Sequence, residues 1–149
     1  MKTAIQSFGT APATSVHQPI EINVVLGGLE NAAGVLELAT GLARGIHAKL
    51  AVHFAQVVPY PLPLKSPPVP VEIAEKNLLD LASKQPVETS ANIYLCRDRS
   101  ETIRHALKPE SIVIFALPHR WWRSFERTLA KQLIRDGHRV ITLPAQKKH

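Results

Sequence analysis

The side chains with the clearest chemical potential lie between residues 119 and 139. If residues 121–135 form a helix, at about 100° per residue, five basic side chains share an arc of roughly 120°. We call this set the basic stripe: Arg120, Arg123, Arg127, Lys131 and Arg135. Like charges at this spacing repel one another weakly unless an anion meets them. The stripe therefore predicts either a solvated face, partly neutralised by Glu126 and Asp136, or a docking face for an acidic protein, a phosphate or a nucleic acid.

Two adjacent tryptophans, Trp121 and Trp122, lie between Arg120 and Arg123. Indole rings can stack on nucleic-acid bases while arginines hold phosphates. On a helix, however, one of the two rings must turn toward the sheet and the other away from it. Two aromatic residues do not make a stacking platform. We therefore interpret one ring as core and the other as cover for a subunit interface or a loop, and nucleic acid is not the expected partner.

The other reactive residue types form no catalytic or metal-binding pattern. No histidines are paired at ligand spacing on a helix; they are His17, His47, His53, His105, His119, His138 and His149. Cys96 lies at the end of a predicted strand, next to Arg97 and Arg99, which could lower its thiol pKa, but such a cysteine is more often a small buried hydrophobe. Ser100 and Ser124 are interpreted as helix caps, since no nucleophile elbow or carboxylate pair stands out. We expect no enzyme activity, no metal and no cofactor.

The composition is that of one globular domain. Of 149 residues, 45% are hydrophobic and 20% are charged, and no apolar run approaches the ~18 residues that span a bilayer. The first residues lack the pattern of a secretory signal, and a single cysteine excludes an internal disulfide, so we expect a cytoplasmic protein. Residues 97–149 hold 12 basic residues against 5 acidic ones. This asymmetry favours an anionic partner.

Apolar periodicity predicts the elements that position these residues. Five apolar runs are predicted strands, at residues 22–26, 49–57, 91–96, 111–116 and 139–143, and helices are predicted at 31–46, 71–84, 101–107 and 124–135. Continuous apolar strands that alternate with helices indicate a parallel sheet covered on both faces.

Three segments are predicted outside the regular elements. Residues 1–19 form a flexible N-terminal tail, residues 145–149 a basic C-terminal tail, and the domain covers 20–144. Six prolines in the twelve residues 59–70 indicate an extended, semi-rigid loop.

The first predicted helix contains three glycines, Gly34, Gly41 and Gly45. Each weakens the helix by about 1 kcal/mol relative to alanine, and close packing at these positions would explain their presence.

The chain resembles the universal stress proteins over residues 20–144. The order of elements matches that family, and local similarities are VVLGGLENA at 24–32, AKLAV at 48–52, TLAKQLIR at 128–135 and RVITL at 139–143. The resemblance implies a Rossmann-like α/β fold, with an open five-stranded parallel sheet of order 3-2-1-4-5 and two helices on each face. It also implies a homodimer through the edge of the fifth strand, an apolar terminal strand that needs covering.

The sequence departs from the ATP-binding members of that family at two places. Those members usually carry an aspartate at the end of the first strand, where this chain has Gly27. They also carry Gly-x-x-Gly, nine residues and Gly-Ser/Thr after the fourth strand, and such glycines let backbone N–H groups approach phosphates. Here no glycine lies between Gly45 and Gly137, and Arg127 stands where a glycine would precede Thr128. The resemblance therefore implies a diverged member that does not bind ATP in the standard way.

Two functions remain open. The first is a non-catalytic regulatory or interaction protein, which dimerises through its sheet and binds a partner through the basic stripe. The second is a sensor that binds a nucleotide or another anionic small ligand at the carboxyl ends of the strands, where open α/β sheets bind ligands. The candidate residues of that modified pocket are Gly27, Gly28, Arg127 and Thr128.

Overall fold

Apolar strands and amphipathic helices alternate along the chain in the predicted order. The computed structural model describes residues 2–8, 20–30, 32–117 and 125–144. Its elements are β1 (Lys2–Phe8), β2 (Glu21–Leu26), α1 (Ala32–Gly45), β3 (Lys49–Val57), α2 (Val71–Ser83), β4 (Thr89–Cys96), α3 (Arg99–Ala106), β5 (Ile112–Leu117), α4 (Phe125–Arg135) and β6 (Arg139–Pro144). None of these helices is long and apolar enough to cross a membrane.

The strands form one sheet in the order β1-β4-β3-β2-β5-β6. Strands β2 to β6 are parallel, and the central strand β2 pairs with β3 and β5 so that Val24 lies opposite Val52 and Ile114. The predicted parallel sheet of order 3-2-1-4-5, counted from β2, is confirmed. Because β3 and β5 lie on opposite sides of β2, the strand order reverses there. The carboxyl ends of β2 and β5 therefore border the topological switch point of the sheet.

Two helices cover each face of the sheet, as predicted. On one face α1 and α2 bury Leu36 and Leu78 against the strands. On the other face α3 and α4 bury Ile103, Leu129 and Leu133. The apolar face predicted for α4 thus packs on the sheet, and this packing sets the direction in which the rest of α4 faces.

Residues 2–8 correct the prediction of a flexible tail. They form β1, which pairs antiparallel with β4 so that Lys2 lies opposite Tyr94 and Phe8 opposite Thr89. The segment has no apolar periodicity that would predict a strand. The edge of β4, however, offers backbone N–H and C=O groups that any extended segment can pair with. The rest of the predicted tails, at residue 1, residues 9–19 and 145–149, lies outside the described residues.

The cap of α3 also differs from the prediction. The sequence predicts Ser100, but Asp98 Oδ1 accepts a hydrogen bond from the backbone N–H of Glu101 at 3.1 Å. Aspartate and serine are similarly good caps, so local preference does not separate two candidates this close together. The other predicted caps, Asn31 and Ser124, lie outside the described residues.

The proline-rich segment 59–70 contains neither helix nor strand, as predicted.

Candidate functional site

The first turn of α4 lies against the carboxyl end of β2, at the switch point of the sheet. Gly27 follows β2 directly, and Glu126 belongs to the first turn of α4. A methyl group on Gly27 would lie 2.7 Å from Cδ of Glu126 and closer still to its Oε1. The carboxylate of Glu126 therefore occupies the space that a side chain at position 27 would need.

Arg99, the first residue of α3, brings a positive charge to the same place. Its Nη1 donates a hydrogen bond to the carbonyl oxygen of Gly27 at 3.3 Å. Its guanidinium carbon lies 3.8 Å from the ring centroid of Phe125, a cation–π contact. Arg99 thus joins α3 to the end of β2 and to the first residue of α4.

The four predicted pocket residues are only partly brought together. Gly27 lies beside the first turn of α4, in which Arg127 is half-buried. Gly28 is exposed, and no atom of the described residues lies within 4 Å of the place that a Cβ would take; the Thr128 side chain is exposed as well. Sequence reasoning did not place Arg99, Phe125 or Glu126 in this pocket. Their one available signal was their position at the beginnings of helices that follow predicted strands.

The described part of the basic stripe comprises Arg127, Lys131 and Arg135. Lys131 and Arg135 are exposed, whereas Arg127 is half-buried with its Nε shielded from solvent. Arg120 and Arg123, and with them the two tryptophans, lie outside the described residues. The exposed cationic surface that the structure describes on α4 is therefore Lys131 and Arg135.

The two acidic residues near the basic stripe, Glu126 and Asp136, contact residues outside the stripe. Asp136 accepts two hydrogen bonds from Arg104 of α3, at 2.8 and 3.0 Å. The Arg104 guanidinium holds the pKa of the Asp136 carboxyl below its ordinary value, chiefly through this hydrogen bonding. With Glu126 against Gly27, neither acid forms a salt bridge to Lys131 or Arg135 among the described residues. The partial neutralisation considered from the sequence is therefore not found for these two cations.

A chain of buried polar side chains crosses the sheet on the face that α3 and α4 cover. His53 Nε2 lies 2.9 Å from Asn23 Oδ1, and His53 Nδ1 lies 2.9 Å from the Tyr94 hydroxyl. Asn23 also donates to the carbonyl oxygen of Ile112 at 3.2 Å. Burial, with a smaller contribution from the charge of Glu21, raises the pKa of Tyr94 to about 12. The chain links four adjacent strands and satisfies polar groups inside the core.

Cys96, at the end of β4, is buried. Burial is the main reason that the pKa of its thiol is raised, and it outweighs the lowering effect of the nearby Arg99 charge. The thiol is therefore poorly suited to act as a nucleophile.

A cleft of about 340 Å³ lies beside Cys96. It is bordered by Leu64 of the proline-rich loop and by Arg97, Glu101 and Thr102. No cluster of three or more metal-ligating side chains is present in the parts of the chain that the structure describes.

Two solved structures resemble this one closely in fold. A universal stress protein from Archaeoglobus fulgidus matches with a TM-score of 0.59 and 12% sequence identity, over 83% of this chain and 92% of that protein. A protein of the universal stress protein family from Burkholderia pseudomallei matches with a TM-score of 0.58 and 22% identity, over 84% of this chain and 96% of that protein. The chain has the universal stress protein fold. No protein-family model and no curated protein sequence matches it.

Within the universal stress protein fold, the Gly27 position gains a particular meaning. The resemblance places the aspartate of ATP-binding members here, at the end of the first parallel strand. This chain has no side chain at that position, yet a carboxylate is present there, because Glu126 reaches it from α4.

Proposed function

We propose that this protein is a non-catalytic regulatory or interaction protein of the universal stress protein type, without standard ATP binding. The observation that carries the proposal is the lack of glycine in the segment that joins β5 to α4. Phosphate cradles in such folds are built from glycine backbone N–H groups and a helix N-terminus. Here residues 46–136 contain no glycine, so that kind of cradle is missing.

A titration with magnesium-ATP tests this proposal directly. We expect no heat of binding in calorimetry and no nucleotide released when the purified protein is denatured and examined by mass spectrometry. A Kd below about 100 µM, corresponding to roughly 5.5 kcal/mol of binding free energy, would contradict the proposal. A co-purified nucleotide would do so as well.

The proposal includes a homodimer through the outer edge of β6, where no other strand of the described residues pairs. Four large aliphatic side chains of β6, of α1 and of the residue that follows α1 are between 38% and 45% exposed: Leu38, Leu42, Ile46 and Ile141. Thr40 donates to Gln85 at 2.7 Å and so marks the flank of α1 that faces α2. By helical geometry, Leu38 and Leu42 lie on the other flank, toward β5 and β6.

The glycines of α1 support the same interface. A Cβ added to Gly41 or Gly45 would meet no atom of a described residue within 4 Å. The close packing expected from the sequence is therefore not made at these two positions within the part of the chain that the structure describes. Gly45 ends α1, but Gly41 lies in the helix interior, where glycine costs about 1 kcal/mol relative to alanine. Packing of a second copy against this flank would account for that cost.

The partner-binding part of the proposal rests on Lys131 and Arg135. Both are exposed, and no salt bridge neutralises them among the described residues. Such a surface fits an acidic protein or another anionic partner. The second candidate function is a sensor for a small ligand. A cleft of about 340 Å³ at the end of β4 supports it, since small-ligand sites begin at about that size, but this cleft is not bordered by the four predicted pocket residues. A bound small molecule found on denaturation would favour the sensor.

A further inference from the structure

We propose that the cleft at the end of β4 binds a small organic cation, an amine with an apolar body, and that the proline-rich loop 59–70 forms one wall of this site. The inference rests on the second candidate function, the small-ligand sensor, but reverses the charge expected of its ligand. It also gives the proline-rich loop a role, as the part of the site that is built before any ligand arrives.

The loop is fastened near both of its ends. Arg97 Nη1 donates a hydrogen bond to the carbonyl oxygen of Val58 at 2.6 Å, and the Arg97 guanidinium carbon lies 4.1 Å from the ring centroid of Tyr60. At the other end, Gln56 Nε2 of β3 donates to the carbonyl oxygen of Val69 at 2.6 Å. The loop therefore returns to the strand that it leaves.

Two turns build the middle of the loop. The backbone N–H of Leu62 donates to the carbonyl oxygen of Pro59 at 3.0 Å. That of Ser66 donates to the carbonyl oxygen of Pro63 at 2.9 Å, and Leu64, inside this second turn, borders the cleft. Because proline fixes φ, a wall of this kind has little conformational entropy left to lose when a ligand binds.

The charged lining of the cleft is mainly acidic. It consists of Asp98 and Glu101, at the beginning of α3, and Arg97. Both acids are exposed, and neither forms a salt bridge with any residue that the structure describes. Arg97 is engaged with the loop, while Arg99 donates to the carbonyl oxygen of Gly27 and does not border the cleft. Two acids against one engaged base favour a cation in the cleft and repel an anion, although the whole chain carries a net charge of +6.

The uncharged lining is mostly apolar. It comprises Leu64, Tyr94, Leu95, Cys96 and Thr102. A cleft of about 340 Å³ is large enough for a small ligand. An amine can bury its body against these side chains while its ammonium group meets the carboxylates, whereas a carboxylate ligand of the same shape would place like charges at short range.

Three probes of nearly the same shape test the charge: benzylamine, benzyl alcohol and benzoate, titrated into the full chain and followed by NMR. We expect benzylamine to shift the backbone amide signals of Leu64, Cys96 and Thr102 saturably, in the millimolar range ordinary for so small a molecule. Benzoate should bind there at least about tenfold more weakly. Benzoate binding as tight as that of benzylamine would overturn the inference alone. No response of these amides to any of the three probes would remove the site, and with it the support for the sensor.

Charge variants give the matched comparison. Asp98→Asn with Glu101→Gln removes both carboxylates and keeps a good cap at position 98. This double variant should bind benzylamine at least about fivefold more weakly than the wild type, and benzyl alcohol equally well. The control, Glu37→Gln with Glu72→Gln, changes the net charge equally at exposed positions of α1 and α2. If the control loses as much benzylamine affinity as the cleft variant, the carboxylates of the cleft are not the ligands and the inference is wrong.

The loop is tested separately. Leu64→Ala should weaken the binding of benzylamine and of benzyl alcohol alike, by about threefold, since it removes apolar surface but no charge. Leu62→Ala, in the same loop but not bordering the cleft, should leave both affinities unchanged. Unchanged affinities in Leu64→Ala would show that the loop is not a wall of the site.

Discussion

Tyr94, His53 and Asn23 form the buried polar chain that crosses the sheet. Asn23 Oδ1 accepts, so His53 Nε2 carries the proton and Nδ1 of the neutral ring accepts from the Tyr94 hydroxyl. Removing one partner of a buried hydrogen bond costs about 1–3 kcal/mol. We therefore expect Tyr94→Phe to lower the free energy of unfolding by that amount in a urea titration.

Tyr60→Phe is the control for this prediction. The Tyr60 side chain is 79% exposed and lies over Arg97, with 4.1 Å between the guanidinium carbon and the ring centroid. Loss of its hydroxyl should change the free energy of unfolding by less than about 0.5 kcal/mol. Equal effects of the two substitutions would show that the buried hydroxyl of Tyr94 contributes nothing specific.

The same tyrosine predicts a pH dependence in the alkaline range. The pKa of Tyr94 is about 12 in the folded protein, against 10.0 for the unperturbed group. The folded state therefore holds this proton more tightly than the unfolded state does. The resulting stabilisation is fully present below pH 10 and is lost as the pH rises from 10 toward 12.

Urea unfolding between pH 9 and 12 measures this effect. The free energy of unfolding of the wild type should fall more steeply over this range than that of Tyr94→Phe, which has no ionisable hydroxyl at position 94. Parallel pH profiles for the two proteins would contradict the assignment of the slope to Tyr94.

At the scale of elements, α4 packs its apolar face on the sheet and exposes Lys131 and Arg135 to solvent. Lys131 and Arg135 lie one turn apart, so their mutual repulsion costs a few tenths of a kcal/mol. We expect the double variant Lys131→Gln, Arg135→Gln to be as stable as the wild type or slightly more stable. If the surface binds an anionic partner, the variant should lose the salt-sensitive capture of proteins from a lysate.

The control for α4 replaces two exposed lysines elsewhere. Lys65→Gln with Lys76→Gln changes the net charge equally but leaves α4 intact. This control should capture the same proteins as the wild type does. If the α4 variant also captures that set of proteins, Lys131 and Arg135 form only a solvated surface.

At the scale of the whole molecule, the outer edge of β6 and the adjoining flank of α1 are the proposed dimer interface. We expect the wild type to sediment as a dimer at micromolar concentration, because an exposed edge strand beside large aliphatic side chains favours association. Leu42→Glu or Ile141→Glu should weaken the dimer at least about tenfold, since each places a charge in a desolvated interface.

Ile73→Glu is the matched control for the dimer. Ile73 is also an exposed isoleucine, but it lies in the first turn of α2 and not beside β6. Its replacement should leave the sedimentation coefficient unchanged. A monomeric wild type, or an equal effect of Ile73→Glu and Ile141→Glu, would contradict the proposed interface.

The amino-acid sequence by itself determined the parallel body of the fold. Its five apolar runs are continuous rather than alternating, which requires cover on both faces, and the segments between them carry helical periodicity. The burial of Leu129 and Leu133 followed from the same periodicity. These features are local, because they depend on residues a few positions apart, and so they can be derived without knowing what packs against them.

Only the tertiary structure decided the contacts between distant residues. Strand β1 exists because the edge of β4 offers it backbone partners, not because its own sequence favours a strand. Glu126 meets Gly27, and Asp136 pairs with Arg104, because parallel packing brings the beginnings of α3 and α4 to the end of β2 and the end of α4 to α3. Both acids, Glu126 and Asp136, have several basic residues close to them in the sequence with which they could have paired. The choice among them depends on packing distances that no local pattern encodes.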